Sequence, residues 1–169
     1  MIEVIPNWHP LFVHFPIALV SLSAFFHVAA ILLRNQPRFV PHCAVLAHAT
    51  LWLGALAALP TALFGWLAFN SVFHDEAGHA AMLEHRAWAL ATLLILLILA
   101  GWDIWRQKVD DTPAWPFASA VILAWLMVVS TAWHGAELVY RHGLGVIALP
   151  MHTENAAHEH NHEGEPLAH

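Results

Sequence analysis

Long apolar stretches alternate with short polar breaks along this chain, and both lengths are informative. Four apolar runs, Leu11–Leu33, Cys43–Phe69, Ala87–Trp105 and Trp115–Tyr140, are each close to the roughly 20 residues that an α-helix needs to cross a bilayer core. Arg34-Asn-Gln-Pro-Arg38 is a short polar turn, and Asn70 to Arg86 is a longer polar segment. Arg106-Gln-Lys-Val-Asp-Asp-Thr-Pro113 is a charged loop ending in a proline suited to a helix start. Connections this short predict an all-α fold, an integral membrane antiparallel four-transmembrane-helix bundle. Residues 1–150 form the transmembrane domain in this reading. Residues 151–169 are a His/Glu-rich, low-complexity stretch with nothing to build a core from, expected to be a disordered extracytoplasmic tail.

Composition sharpens the class. Hydrophobic residues make up 59% and charged residues 11%, against about a quarter charged in soluble domains. No basic stripe is present, so nucleic-acid binding has no electrostatic footing. A lone cysteine, Cys43, rules out an internal disulfide, a CxxC redox pair and CxxCH haem attachment. No nucleophile–base constellation, phosphate loop or Gly-rich nucleotide fingerprint occurs, so an electron carrier or binding protein is expected rather than a stand-alone enzyme. Arg34, Arg38, Arg106 and Lys108 occupy the first and third loops, while Arg86 and Arg141 lie on the other side. The positive-inside rule then puts both termini outside the cytoplasmic membrane. Gly54, Ala58 and Ala62, with Gly65 nearby, mark a close-packing seam on the second helix.

Histidine is the unusual residue, at 15 against 6 Lys plus Arg. On this topology His9, His14, His74, His79, His85, His134 and His142 gather near the outer end, and His27 and His48 lie in the inner half. On the last helix His134, Glu137 and Arg141 share a face with Thr131, Met127 and Ala124, a small or polar stripe expected to face other helices, with Val128 pointing elsewhere. An ionisable residue buried there is a functional-site candidate. A b-type haem takes axial nitrogens from opposite sides of its macrocycle. His14 and His134 match best in depth, at roughly 7 and 9 Å from the helix ends by the helical rise. His85, His142 and His9 are shallower cofactor-binding candidates, and His27 with His48 are candidates for a second, inner site. Glu137 and Arg141, four residues apart, read as an ion pair at the helix end, or as a proton-exchange site for a bound quinol. Asp103 with Arg106 reads as surface pairing. In the tail His158, His160 and His162 suit a divalent transition metal such as Zn, Cu or Ni, without fixed geometry.

Two segments carry a family resemblance: His9-Pro-Leu-Phe-Val-His-Phe-Pro-Ile-Ala-Leu19 and Gly135-Ala-Glu-Leu-Val-Tyr-Arg-His-Gly-Leu-Gly-Val146. They resemble the bacterial four-helix membrane proteins of domain-of-unknown-function family 2231, over residues 8 to about 150. The matching positions are His9, Pro10 and His14, then Glu137, Tyr140, His142 and Gly143, with Gly-Ala at 135–136 where that family tends to have Gly-Gly. Its members are often fused to Rieske or c-type cytochrome domains, which implies a membrane redox setting. The leading expectation is therefore a haem b electron carrier in the bacterial inner membrane, linking quinol or another membrane donor to a periplasmic redox protein. Two alternatives stay open: a divalent-metal transport or sensing protein, and a membrane anchor or assembly subunit without chemistry of its own.

Overall fold

A computed structural model describes residues 7–106 and 114–146. The described chain is all helical: α1 (His9–Phe12), α2 (His14–Leu32), α3 (Val40–Ser71), α4 (Glu76–Arg106) and α5 (Trp115–Tyr140). With α1 and α2 counted as one element broken at Val13, four helices are long and apolar enough to cross a membrane. Prolines open three of the helices at N1 or N2, in α1, α3 and α5, where the missing N–H breaks no helical bond. The break at Val13 has a local cause. Pro16 has no N–H to give to the carbonyl of Phe12, and that carbonyl instead accepts the Thr61 hydroxyl from α3 at 3.1 Å.

Three of the four spans both begin and end within a few residues of the apolar runs, and one does not. Helix α4 starts at Glu76, eleven residues before Ala87, and takes in much of the polar segment. The extension is capped by Asp75, whose Oδ1 accepts the Gly78 N–H at 2.7 Å, and it buries Gly78 and Met82. Its amphipathic turns are too polar to register as apolar but are good helix formers. At its far end α5 closes on Gly143, at φ 60°, with Leu144 N–H donating to Leu138 C=O at 3.0 Å. A left-handed residue there, for which glycine carries no Cβ penalty, is what that closing turn demands.

Each long helix packs on its neighbours in sequence, and α2 also packs on α5. The core is Val20, Leu51, Leu96, Phe117 and Val121, ringed by alanines. Helix α5 buries Phe117, Val121, Ala124 and Val128. Val128 thus belongs to the packed stripe, not to the outer face expected of it. The buried positions run 117, 121, 124, 128, so the packed stripe lies to one side of the line through Met127 and Thr131 and shares Ala124 with it. Hydrogen bonds tie the helices laterally. The Ser23 hydroxyl donates to Ala47 C=O at 2.9 Å, the Trp125 indole donates to the Ser21 hydroxyl at 3.0 Å, and Thr92 and Thr131 share a 2.8 Å bond. Such bonds contribute about 0.6 kcal/mol each in a membrane, so they set register more than they hold the helices together.

The tightest backbone approach is at Gly54, where an added Cβ would lie 2.9 Å from Val20 Cγ2 and 3.4 Å from the Val20 backbone nitrogen. Gly54→Leu is expected to destabilise the protein by about 1–3 kcal/mol through overpacking. Gly101→Leu, at a position with nothing within 4 Å, is expected to be near neutral; unfolding in mixed micelles measures both.

Candidate functional site: two buried imidazole clusters

At one end of the molecule His9 and His85 face each other, with ring centroids 6.3 Å apart and planes at 73°. They come from α1 and α4, helices that do not pack against each other, so the two rings meet across the interior. His9 Nδ1 lies 3.0 Å from the Thr61 carbonyl. A carbonyl only accepts, so Nδ1 carries the proton and Nε2 of the neutral ring keeps its lone pair. His85 Nδ1 is buried and without a partner among the described residues. Two glycines make space for these rings. A Cβ on Gly65 would fall 2.9 Å from His9 Cε1, and one on Gly135 would fall 3.1 Å from His85 Cε1. The small-residue seam on α3 therefore serves two purposes: Gly54 admits α2, and Gly65 admits an imidazole.

Beside this pair, His134 stacks on Trp88 at 5.5 Å between centroids, with Nδ1 3.5 Å from Glu137 Oε2. Glu137 also meets Arg141, at 3.3 Å. His14 is not brought into the cluster. It is exposed, and its Nδ1 is nearest the Leu11 carbonyl of its own helix at 3.4 Å. The expected His14–His134 pairing thus gives way to His9–His85, because the break at Val13 turns His9 inward and leaves His14 on the outer surface. His142 is exposed as well. His74 and His79 stack on each other at 5.1 Å, and His158, His160 and His162 lie outside the described residues.

At the opposite end the structure gathers the second pair. His27 and His48 lie with ring centroids 5.6 Å apart at 81°. His48 Nδ1 is 2.8 Å from Asp103 Oδ2, and the Trp52 indole N–H donates to the same oxygen at 2.9 Å. Asp103 is 1% exposed, so it is not a surface partner of Arg106. The Arg106 guanidinium instead lies over the Phe117 ring at 4.6 Å and the Trp102 ring at 5.7 Å. Asp103 turns inward because α4 places it one turn before its end, level with His48 and Trp52. An acid inside an apolar run, at the depth of a histidine on another helix, was the sequence signal for this contact. Thr61 and Ser23 carried none for their contacts with His9 and His27, which run through their backbone carbonyls and, for Ser23, its hydroxyl at 3.2 Å as well. No group of three or more His, Cys, Asp or Glu is arranged to hold a metal ion among the described residues.

Helices long and apolar enough to cross a bilayer, with imidazoles packed between them, define a polytopic membrane protein with buried ionisable sites. A family model described as "Predicted membrane protein (DUF2231)" matches residues 6–148, and the chain belongs to that family. No curated protein and no solved structure matches it.

Asp103 holds two buried donors at once. Asp103→Ala strands the His48 and Trp52 N–H groups, each at about 1–3 kcal/mol, and is expected to lower unfolding stability by several times the effect of Glu137→Gln. The latter loosens a pair in which Arg141 is exposed, of a kind that contributes at most about 1 kcal/mol. Denaturant titration in detergent compares the two.

Proposed function

We propose that this protein is a b-type cytochrome-like electron carrier of the bacterial cytoplasmic membrane, with His9 and His85 as axial ligands of a haem. The observation that supports this reading is the spacing of the two rings. Imidazoles on opposite sides of one metal ion have centroids roughly 6–6.5 Å apart, given metal–nitrogen bonds of about 2 Å, and His9 and His85 are at 6.3 Å. The donor set also fits. Two imidazoles complete the shell of a group that brings its other ligands with it, and haem does so through its macrocycle. The His9 Nδ1 bond to Thr61 directs the other nitrogen inward, as outer partners of ligating histidines do. His85 Nδ1 has no competing partner.

Haem, once bound, supplies a one-electron couple. The chain's own residues do the rest. Gly65 and Gly135 give the rings room, and Trp88 and His134 cover the side of the site. Glu137, held between His134 and Arg141, is the group placed to exchange a proton with a quinol. A periplasmic redox protein would take the electron at this end.

The arrangement that goes with this reading is antiparallel, with both termini extracytoplasmic. Contacts such as His9 with Thr61 and Ser23 with Ala47, or Thr92 with Thr131 and Trp102 with Phe117, pair residues in opposing order along successive helices. The basic residues Arg34, Arg38 and Arg106 favour the cytoplasm for the His27 end.

Purified from haem-supplied cells, the protein is expected to show a Soret band that shifts on dithionite reduction, with a sharp α band. His9→Ala and His85→Ala should each abolish that bis-histidine spectrum, and His14→Ala and His134→Ala should retain it. A colourless wild type, or an unchanged spectrum in both of the first two variants, overturns the assignment. Orientation has its own probe in Cys43, the lone cysteine. A membrane-impermeant maleimide should label it in inverted vesicles and not in intact spheroplasts, with the pattern reversed for His142→Cys in a Cys43→Ser background.

A further inference from the structure

The His27 end carries a second site, independent of the haem reading. We propose that His27 and His48 bind a single monovalent copper ion through their Nε2 atoms, with Asp103 orienting His48 and balancing the charge.

Neighbouring acceptors fix where the proton sits on each ring. His27 is fully buried, and its Nδ1 lies 2.8 Å from the Ser23 carbonyl on its own helix. That nitrogen must be the donor, because the carbonyl has nothing to give. Nε2 of the neutral ring is then a bare lone pair, and it is buried with no partner among the described residues. His48 is oriented in the same way by Asp103 Oδ2 at 2.8 Å, which leaves its Nε2 as the free lone pair. A carboxylate or carbonyl behind Nδ1 is the arrangement that metal-binding histidines use to fix tautomer and ring orientation. Here both members of the pair have one.

Spacing and charge narrow the ligand. Two-coordinate Cu(I) is close to linear, and bonds of about 2 Å then put the two imidazole centroids about 6 Å apart. The observed 5.6 Å is reached from there by a ring movement of about half an ångström. Phe117 packs 5.4 Å from the His27 ring and Trp52 lies 6.4 Å from the His48 ring, so aromatic side chains occupy the space a macrocycle would need. Imidazole suits copper and zinc. Of the two, Cu(I) accepts a coordination number of two, which is what this pair offers. In a low-dielectric interior an uncompensated charge is costly. The buried Asp103 carboxylate is the one negative group here among the described residues, with the Arg106 guanidinium also facing the His27 ring across Phe117, so a singly charged ion suits the site better than a doubly charged one.

The test titrates Cu(I) anaerobically into the full-length protein in detergent, against a chromogenic copper chelator. X-ray absorption then reads the first shell. Wild type is expected to hold one chelator-resistant equivalent, with low-coordinate nitrogen ligation. His27→Gln and His48→Gln, which keep side-chain bulk and polarity, should each lose that equivalent, and Asp103→Asn should bind about 10–100-fold more weakly. Loose binding by tail histidines is common to every variant and cancels in the comparison. Circular dichroism and elution volume establish that each variant is folded. Should His27→Gln unfold, His27→Asn replaces it and should likewise lose the equivalent. The proposal is overturned if wild type holds no resistant equivalent, or if folded His48→Gln keeps it. The haem spectrum depends on neither histidine, so failure here is distinguishable from failure at His9 and His85.

Discussion

A histidine between apolar helices has two nitrogens to satisfy, and lipid satisfies neither. In this protein the chain fixes one nitrogen of each anchored ring by an acceptor, a backbone carbonyl at two of them and a carboxylate at the third. For His9 the acceptor is the Thr61 carbonyl, for His27 the Ser23 carbonyl, and for His48 the Asp103 carboxylate. The choice of acceptor decides the tautomer, and the tautomer leaves the other nitrogen a basic lone pair, which at His27 is buried without a partner among the described residues. Everything chemical about the molecule follows from that restriction. Were the anchors donors, the same rings would present N–H groups inward and could not ligate anything.

The scaffold around these rings is built by what is missing from the residues nearby. Glycine at 65 and 135 has no Cβ to strike an imidazole, and proline at 16 has no N–H to occupy the Phe12 carbonyl. Small residues thus do two things in this interior: at Gly54 they bring backbones together, and at Gly65 and Gly135 they admit a side chain from across the molecule. The two ends also differ in kind. The His9 end is half-exposed and surrounded by titratable neighbours, His134 and Glu137 among them. The His27 end is sealed by Phe117 and Trp52, with one carboxylate inside.

Much of the fold was legible in the sequence because spanning a bilayer imposes a length and a polarity that few other folds share. The start of α4 was not, since Glu76 to Arg86 is helical by capping and by burying Met82, and neither leaves an apolar run. The histidines were legible as a population and less so as partners. Depth along a helix can be counted from sequence, but azimuth depends on where helices bend, and the break at Val13 exchanged the roles of His9 and His14. Depth counting put His27 and His48 at one level, and their rings lie 5.6 Å apart. Asp103 was visible and misread, because a charge near a helix end is ordinarily a surface charge.

Thr61 touches α1 twice, with its hydroxyl on the Phe12 carbonyl and its own carbonyl on His9 Nδ1. The four residues of α1 are thereby fastened to α3, while the covalent link to α2 passes through a bend. In mechanical terms α1 is a pawl carried on α3. A shift of α3 along its axis would carry the His9 ring with it and change its distance to His85, and, because His48 rides on the same helix, it would move the inner pair as well. The two ends of the molecule are therefore geared to each other through one helix.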